Sequence, residues 1–272
     1  MIGGSLGMAA KRRHLARHIV GVSRHAATLR QAKARGAITT GTTRLEDGVR
    51  GADLVILATP VDTIVPLAKR AAASMRAGSV LTDVGSTKGA IVAALERSLP
   101  RRISVVGGHP IAGSEACGFA AASPALFDGS TCILTRTTST DRHTLQRVSR
   151  FWKSLGVRVI VMSPRDHDRL LANTSHLPHL LAYALAQTLE GGSTRPMPQS
   201  FLDMTRVAKS HPELWDDIFL SNRPALLAAI ARFEREWRRL RTAVAQGNRQ
   251  KLRQCLASAY AKRRAIKDSD AS

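Results

Sequence analysis

Three short apolar runs constrain this chain more than any other feature: Leu54-Val55-Ile56-Leu57-Ala58, Ser79-Val80-Leu81-Thr82-Asp83 and Ile103-Ser104-Val105-Val106. The first two carry apolar residues on both faces of a would-be strand, which calls for cover from both sides, as in a buried parallel sheet. Each run stops at a turn signal, Thr59-Pro60, Gly85 and Gly107-Gly108 respectively. The segments between them, about residues 61 to 76 and 87 to 98, repeat their apolar residues with helical spacing. Further runs at His18–Ser23, Thr131–Leu134 and Val157–Val161 read as strands, with helices expected near 26–34 and 141–155. Strand and helix alternate in this way only where each connection crosses back over a sheet, so the expected fold class is α/β, a doubly wound sheet.

After Pro164 the strand pattern ends. Helical periodicity begins near Arg165, breaks at Gly191-Gly192-Ser193, resumes near Gln199 and continues in pieces to about Arg264. Leu226, Ile230, Phe233, Trp237, Leu240 and Val244 form one apolar seam, which expects a partner helix within the chain or across a dimer. At 272 residues the chain exceeds what one core usually serves. We therefore expect a dinucleotide-type domain over 1–162 and an all-helical domain over 163–272. No apolar run has the length of a membrane span, and the start lacks the features of a signal peptide, so a cytoplasmic protein with no membrane partner is expected. Three widely spaced cysteines, Cys117, Cys132 and Cys255, form neither a disulfide framework nor a zinc pattern. The net charge of +21 opens a nucleic-acid reading, but the basic residues are dispersed over helices without aromatic interleaving or a recognition motif. No specific nucleic-acid partner is expected.

The chain's start bears on a cofactor. Ile2-Gly3-Gly4-Ser5-Leu6, leading into a helix of small residues, looks like the tail of G-x-G-x-x-G, whose last glycine lets helix and strand pack closely. The strand and the first two glycines of that fingerprint do not precede it, so we expect Met1 to be an internal methionine with the true start about ten residues or more upstream. The next strand ends in Ser23-Arg24, where a dinucleotide fold reads the adenosine ribose. An NAD site wants a carboxylate there; a hydroxyl and a guanidinium suit a 2′-phosphate, so NADP is expected, with NAD as the alternative. Ile2, Gly3, Ser23, Arg24, Thr59 and Pro60 are the candidate cofactor contacts, Thr59 and Pro60 because they close a strand at the sheet edge where ligands bind.

Chemistry-bearing residues gather in four stretches. Gly107-Gly108-His109-Pro110-Ile111-Ala112-Gly113-Ser114-Glu115 reads as a turn that delivers His109 at a strand's carboxyl end with little bulk around it. Asp83-Val84-Gly85-Ser86-Thr87-Lys88 places the Ser86 hydroxyl at a strand end and at the N-cap of the next helix. His176 and His179, in Ser175-His176-Leu177-Pro178-His179, lie one helical face apart; no third ligand is spaced with them, so no metal is expected. Asp203-Met204-Thr205-Arg206 precedes Ser210-His211-Pro212, where Pro212 begins a helix.

Taken in order, these stretches resemble the prephenate/arogenate dehydrogenase family of tyrosine biosynthesis over nearly the whole chain. The resemblance implies a Rossmann domain, a helical dimerisation domain, a homodimer, and oxidative decarboxylation of prephenate to 4-hydroxyphenylpyruvate, or of arogenate to tyrosine. By the same resemblance His109 is the catalytic base, Ser86 orients the substrate hydroxyl, and Arg206 grips a substrate carboxylate. His176 or His179 reaches the substrate, and Glu115 partners a basic substrate-binding residue. The competing readings are another dehydrogenase of the β-hydroxyacid or imine-reductase type, for which Lys209 is the candidate base, and a non-catalytic basic binding protein derived from a truncated enzyme.

Overall fold

The computed structural model describes residues 1–113, 118–189 and 197–266. From the N-terminus the order is α1 (Ile2–Arg12), β1 (Val20–Val22), α2 (Ala26–Ala34), β2 (Thr40–Thr42), α3 (Leu45–Val49), β3 (Leu54–Leu57), α4 (Val61–Ser74), β4 (Val80–Asp83), α5 (Gly89–Ser98), β5 (Ser104–Val106), β6 (Gly108–Ile111), β7 (Thr131–Thr135), α6 (Arg142–Ser154) and β8 (Arg158–Met162). Helices follow: α7 (Pro164–Leu171), a π-helical turn (Ala172–His176), α8 (Leu177–Gln187), α9 (Gln199–Thr205), a 3₁₀ turn (Arg206–Lys209), α10 (Pro212–Ser221), α11 (Arg223–Ala245) and α12 (Arg249–Ala265). The break expected at Gly191-Gly192-Ser193 lies outside the described residues.

Strands pair in three ladders: β1-β2, β3-β4-β5 and β6-β7-β8. All neighbours are parallel except β6 and β7, which run antiparallel with His109 opposite Ile133. Gly108 does not end a strand; only Gly107 interrupts, and Gly108 to Ile111 continue as β6. Pro110 is tolerated because β6 is the edge of its ladder, where a missing N–H costs no pairing on the open side. A side chain on Gly108 would sit 2.8 Å from the Asp83 carbonyl oxygen, so that close approach excludes a Cβ.

Two large apolar clusters lie on opposite faces of β4, and a smaller third joins Met8 of α1 to Ala32, Ala37 and Ile38. Ile64, Ala68 and Ala71 of α4 pack with Leu81 and with Ile91 and Leu95 of α5, and Trp215 and Ile218 of α10 join them. Each large aliphatic side chain buried there contributes about 1.5–3 kcal/mol. On the other side Leu6 and Ala9 of α1 meet Val80, Val106, Leu134, Phe127 and Trp152. Trp152 and its neighbours sit on α6, which Asp141 starts by accepting the Thr144 N–H at 2.7 Å.

Residues 1–223 form one compact unit and 224–272 another. In the second unit, Trp237 of α11 and Val244 are 57% and 64% exposed, so this side of the apolar seam lies open. Among the described residues no helix is long and apolar enough to cross a membrane.

Candidate active site

The β4–α5 connection is fixed from within. Asp83 ends β4 fully buried, and its carboxylate accepts the Gly85 N–H (2.8 Å) and the Gly108 N–H (3.3 Å) while pairing with the buried Lys88 ammonium. One buried ion pair therefore joins the loop that carries Ser86 to the start of β6, which carries His109. Breaking such a pair from one side leaves a buried charge uncompensated, at a cost of about 3–5 kcal/mol.

Ser86 is partly exposed at the mouth of this loop, and its expected role as a helix cap is not realised. Helix α5 starts later, at Gly89, with Lys88 in the cap position and no side chain of its own serving there. Asp168 of α7 takes the part instead: Oδ1 accepts the Lys88 N–H at 2.8 Å and Oδ2 the Gly89 N–H at 2.7 Å. A carboxylate at a helix N-terminus also meets the positive end of the helix dipole. Helix α7 is held by its own cap, Ser163 accepting the Asp166 N–H at 3.0 Å with Pro164 in the first turn, and it buries His167, Asp168 and Leu171.

A line of side chains follows. His109 Nδ1 lies 2.9 Å from His167 Nε2, and His167 Nδ1 lies 2.8 Å from Asp168 Oδ1. His109 is partly exposed as a residue, whereas His167 is fully buried. Desolvation holds the His109 pKa well below its usual 6.5, and the fields of His167, Lys88 and His176 push in the same direction. At neutral pH the ring is an uncharged base. Burial by itself raises the Asp168 pKa, but the hydrogen bonds from His167 and from the Lys88 and Gly89 amides outweigh it, and the carboxyl is held below its ordinary range.

The two histidines of the helical region separate clearly. Pro178 has no N–H to offer the turn before it, and the chain widens there into the π-helical turn that ends at His176. His176 is 1% exposed, with Nδ1 at 3.1 Å from the Asn222 amide, which also donates to the Asp168 carbonyl at 2.8 Å. Burial lowers its pKa to about 4, against a partial opposing pull from Asp168. His179 is partly exposed and stacks on Trp215 with ring centres 3.5 Å apart. Arg206, exposed, opens the 3₁₀ turn that packs on α8, and the Tyr183 hydroxyl of α8 ties down the Ser210 carbonyl at 2.7 Å. His211 precedes α10 without a capping bond from its side chain, and Pro212 lies in the first turn, as the sequence leads one to expect. Glu115 lies outside the described residues. Among those residues no three His, Cys, Asp or Glu side chains gather as a metal site.

For a dinucleotide, the chain offers the N-terminus of α1 at Ile2, with Gly3 so close to Ala58 that an added Cβ would fall 3.1 Å away. Thr59, at the end of β3, has a buried hydroxyl without a hydrogen-bond partner, and Pro60 starts α4 beside it. An orphaned hydroxyl at a strand's carboxyl edge next to a helix N-terminus fits a bound nucleotide. At the end of β1, the Ser23 hydroxyl accepts the His25 N–H at 3.2 Å and Arg24 is exposed.

Sequence reasoning overlooked His167, Asp168, Lys88 and Asn222 as members of this constellation. The one available signal was Ser163-Pro164-Arg165-Asp166, a helix start that places His167 and Asp168 in its first turns.

Comparison with known proteins agrees with this layout. Residues 6–161 match the family model for the prephenate dehydrogenase nucleotide-binding domain, and residues 163–258 match that for the prephenate dehydrogenase dimerization domain. The chain is 35% identical over 259 residues to prephenate dehydrogenase of Bacillus subtilis, covering 93% of this chain and 70% of that protein. It is 38% identical over 208 residues to cyclohexadienyl dehydrogenase of Zymomonas mobilis, covering 74% and 71%. Prephenate dehydrogenase of Aquifex aeolicus, solved in complex with hydroxyphenyl propionate and NAD+, superposes with a TM-score of 0.90 at 36% identity, covering 98% of this chain and 95% of that one.

Proposed function

The chain belongs to the prephenate dehydrogenase family, and from that premise we propose that it oxidatively decarboxylates prephenate or its amino counterpart arogenate in tyrosine biosynthesis, with NADP preferred and NAD as the alternative. The observation that carries this reading is His109: an imidazole kept uncharged by its surroundings, partly exposed at a sheet edge, beside a loop that presents a serine hydroxyl.

The substrate carries a hydroxyl on the ring carbon opposite a carboxylate. The bound nicotinamide supplies the hydride acceptor. His109 takes the hydroxyl proton, Ser86 orients that hydroxyl, and loss of the carboxylate as carbon dioxide leaves an aromatic ring, which makes the overall step downhill. Arg206 holds a substrate carboxylate, for which its planar fork is better suited than a lysine. Of the two candidate histidines, His179 serves the substrate: it is partly exposed, with Nδ1 on the Ser175 carbonyl, whereas His176 is buried against Asn222. Glu115 is assigned to a basic substrate-binding partner. Ile2, Gly3, Thr59 and Pro60 hold the nucleotide, and Ser23 and Arg24 take its 2′-phosphate. The helical part joins two copies of the chain into a homodimer.

A spectrophotometric assay of reduced-cofactor formation, run with each acid and each nucleotide, tests the proposal. The expected result is turnover of prephenate or arogenate with a kcat/KM higher for NADP than for NAD, reversed in Ser23→Asp. No turnover with either acid would overturn the reaction; tighter use of NAD, unchanged in Arg24→Ala, would overturn the nucleotide assignment.

A further inference from the structure

We propose that His167 and Asp168 are positioning residues for His109: the line Asp168–His167–His109 fixes the His109 imidazole as the Nδ1–H form, leaves its Nε2 lone pair for the substrate hydroxyl, and shares the proton once that lone pair has taken it up. This rests on the reading of His109 as the base. Asp168 is committed as an acceptor on both oxygens, which take the Lys88 and Gly89 amides and the His167 ring. A carboxylate only accepts, so His167 Nδ1 donates to it. With one proton on that ring, His167 Nε2 is an acceptor, and the 2.9 Å contact makes His109 Nδ1 the donor. The remaining nitrogen of His109, Nε2, then carries the lone pair. An imidazole with no such partner samples both tautomers; this one does not.

The surroundings explain why a second ring is useful. The groups facing His109 from the packed elements are His167 and Asp168 on α7, His176 in the π-helical turn, and Lys88 with its partner Asp83 around the β4 loop. Cys132 on β7, close to the His109 backbone, is a buried thiol whose pKa is pushed up to about 12, so it stays uncharged. The carboxylate of Asp83 is occupied by Lys88, and that of Asp168 touches His167, not His109. A positive charge confined to His109 would face the Lys88 ammonium without an anion in contact. When the substrate O–H proton moves to His109 Nε2, the proton on His109 Nδ1 can move to His167 Nε2. The His109 ring is then neutral again with its proton on Nε2, and the charge rests on the ring that donates to Asp168. The carboxylate itself stays unprotonated throughout, and the proton count balances.

Ring ¹⁵N NMR of the histidine-labelled full chain at neutral pH, without substrate, reads the tautomer directly, with the His109 signals assigned by difference from His109→Asn. Protonation of His109 at Nδ1 is expected. Asp168→Asn can keep its one carbonyl oxygen on the Lys88 amide and the His167 ring, so the tautomer is retained, but it offers no negative charge to a protonated His167; kcat should fall by about tenfold or more, with KM within about twofold. His167→Gln accepts from His109 Nδ1 but takes no proton, so it keeps the tautomer and should lower kcat by about tenfold. Asp168 also starts α5, and should Asp168→Asn fail to fold, the tautomer in the parent and the His167→Gln kinetics still decide. A parent protein with His109 protonated at Nε2 overturns the proposal, as does unchanged kcat in a folded Asp168→Asn. Unchanged kcat in His167→Gln overturns the proton sharing. An Nδ1–H tautomer in a protein that turns over neither acid upholds the positioning and overturns only the reaction assigned above.

Discussion

His109 stands where three demands on one side chain meet: access to a ligand, an uncharged resting state, and a fixed ring. Glycine at 108 meets the first by letting β6 close on the Asp83 carbonyl. Desolvation, together with nearby positive fields, meets the second. On the proposed role, His109→Asn should lower kcat by about 10²–10⁴-fold while leaving KM close to the parent value, because asparagine fills the space and takes no proton. Steady-state kinetics with saturating nucleotide measure this, and a variant that keeps most of its kcat would remove His109 from the chemistry. His109 was visible in the sequence because its signals are local: a glycine pair, a proline and an apolar run within a few residues. His167 and Asp168 were not visible, since the first meets its partner 58 positions away and the second caps a helix 80 positions away. A histidine and an aspartate at the start of a strongly charged helix read as solvent-facing until the fold turns them inward.

At the scale of elements, legibility followed the length and continuity of the apolar pattern. Strands β3 and β4 and helices α2, α4 and α6 fall where their periodicity places them, whereas β2, a Thr-Gly-Thr triplet, and β6, with proline inside it, offer no apolar run to read. The π-helical turn shows how one missing donor propagates. Pro178 widens the helix, and the widened turn ends in His176, which is buried against Asn222 and the edge of Trp215. The folded chain holds that ring neutral down to about pH 4, while an unfolded histidine titrates near 6.5. Between those values the unfolded chain binds a proton that the folded chain does not, so acidification through this window favours unfolding. The linkage amounts to up to about 3 kcal/mol, fully present as a loss by pH 4 and absent above pH 7. Thermal melts of the parent should therefore move down between pH 6.5 and 4, and His176→Gln, which retains an acceptor for Asn222 but does not titrate, should show a flatter dependence. Parallel curves for the two proteins would place the acid sensitivity elsewhere.

At the scale of the whole molecule, the second unit carries the open apolar positions. Leu227, Trp237 and Val244 on α11 and Leu256 and Tyr260 on α12 are each more than half exposed. Single exposed apolar residues need no explanation, but a run of them in a helical pair does, and a second copy of the chain is the occupant proposed above. Trp237→Glu should convert the protein from dimer to monomer in sedimentation velocity at micromolar concentration, without loss of the helical signal in circular dichroism. An unchanged dimer would move the interface to another face. Association also bears on the charge of +21, which each copy brings to the assembly. Basic surfaces repel at low ionic strength, so the dimer should tighten as salt is added.

The capping of α5 by Asp168 has a consequence for how such a protein can be recombined. The strand-rich segment does not finish its own secondary structure: the first amides of α5 are closed by a residue from the helices that follow, and the Thr87 hydroxyl is met by Ser221 from α10. A chimera spliced between β8 and α7 would thus inherit the first turn of α5 from one parent and its N-terminal cap from the other, with the ring that tunes His109 on the far side of the splice. Because positions 88 and 89 contribute only backbone amides, such grafts should keep a carboxylate at 168 and carry residues 109 and 167 as a pair, and the unit of inheritance at this site is the contact between segments rather than either segment alone.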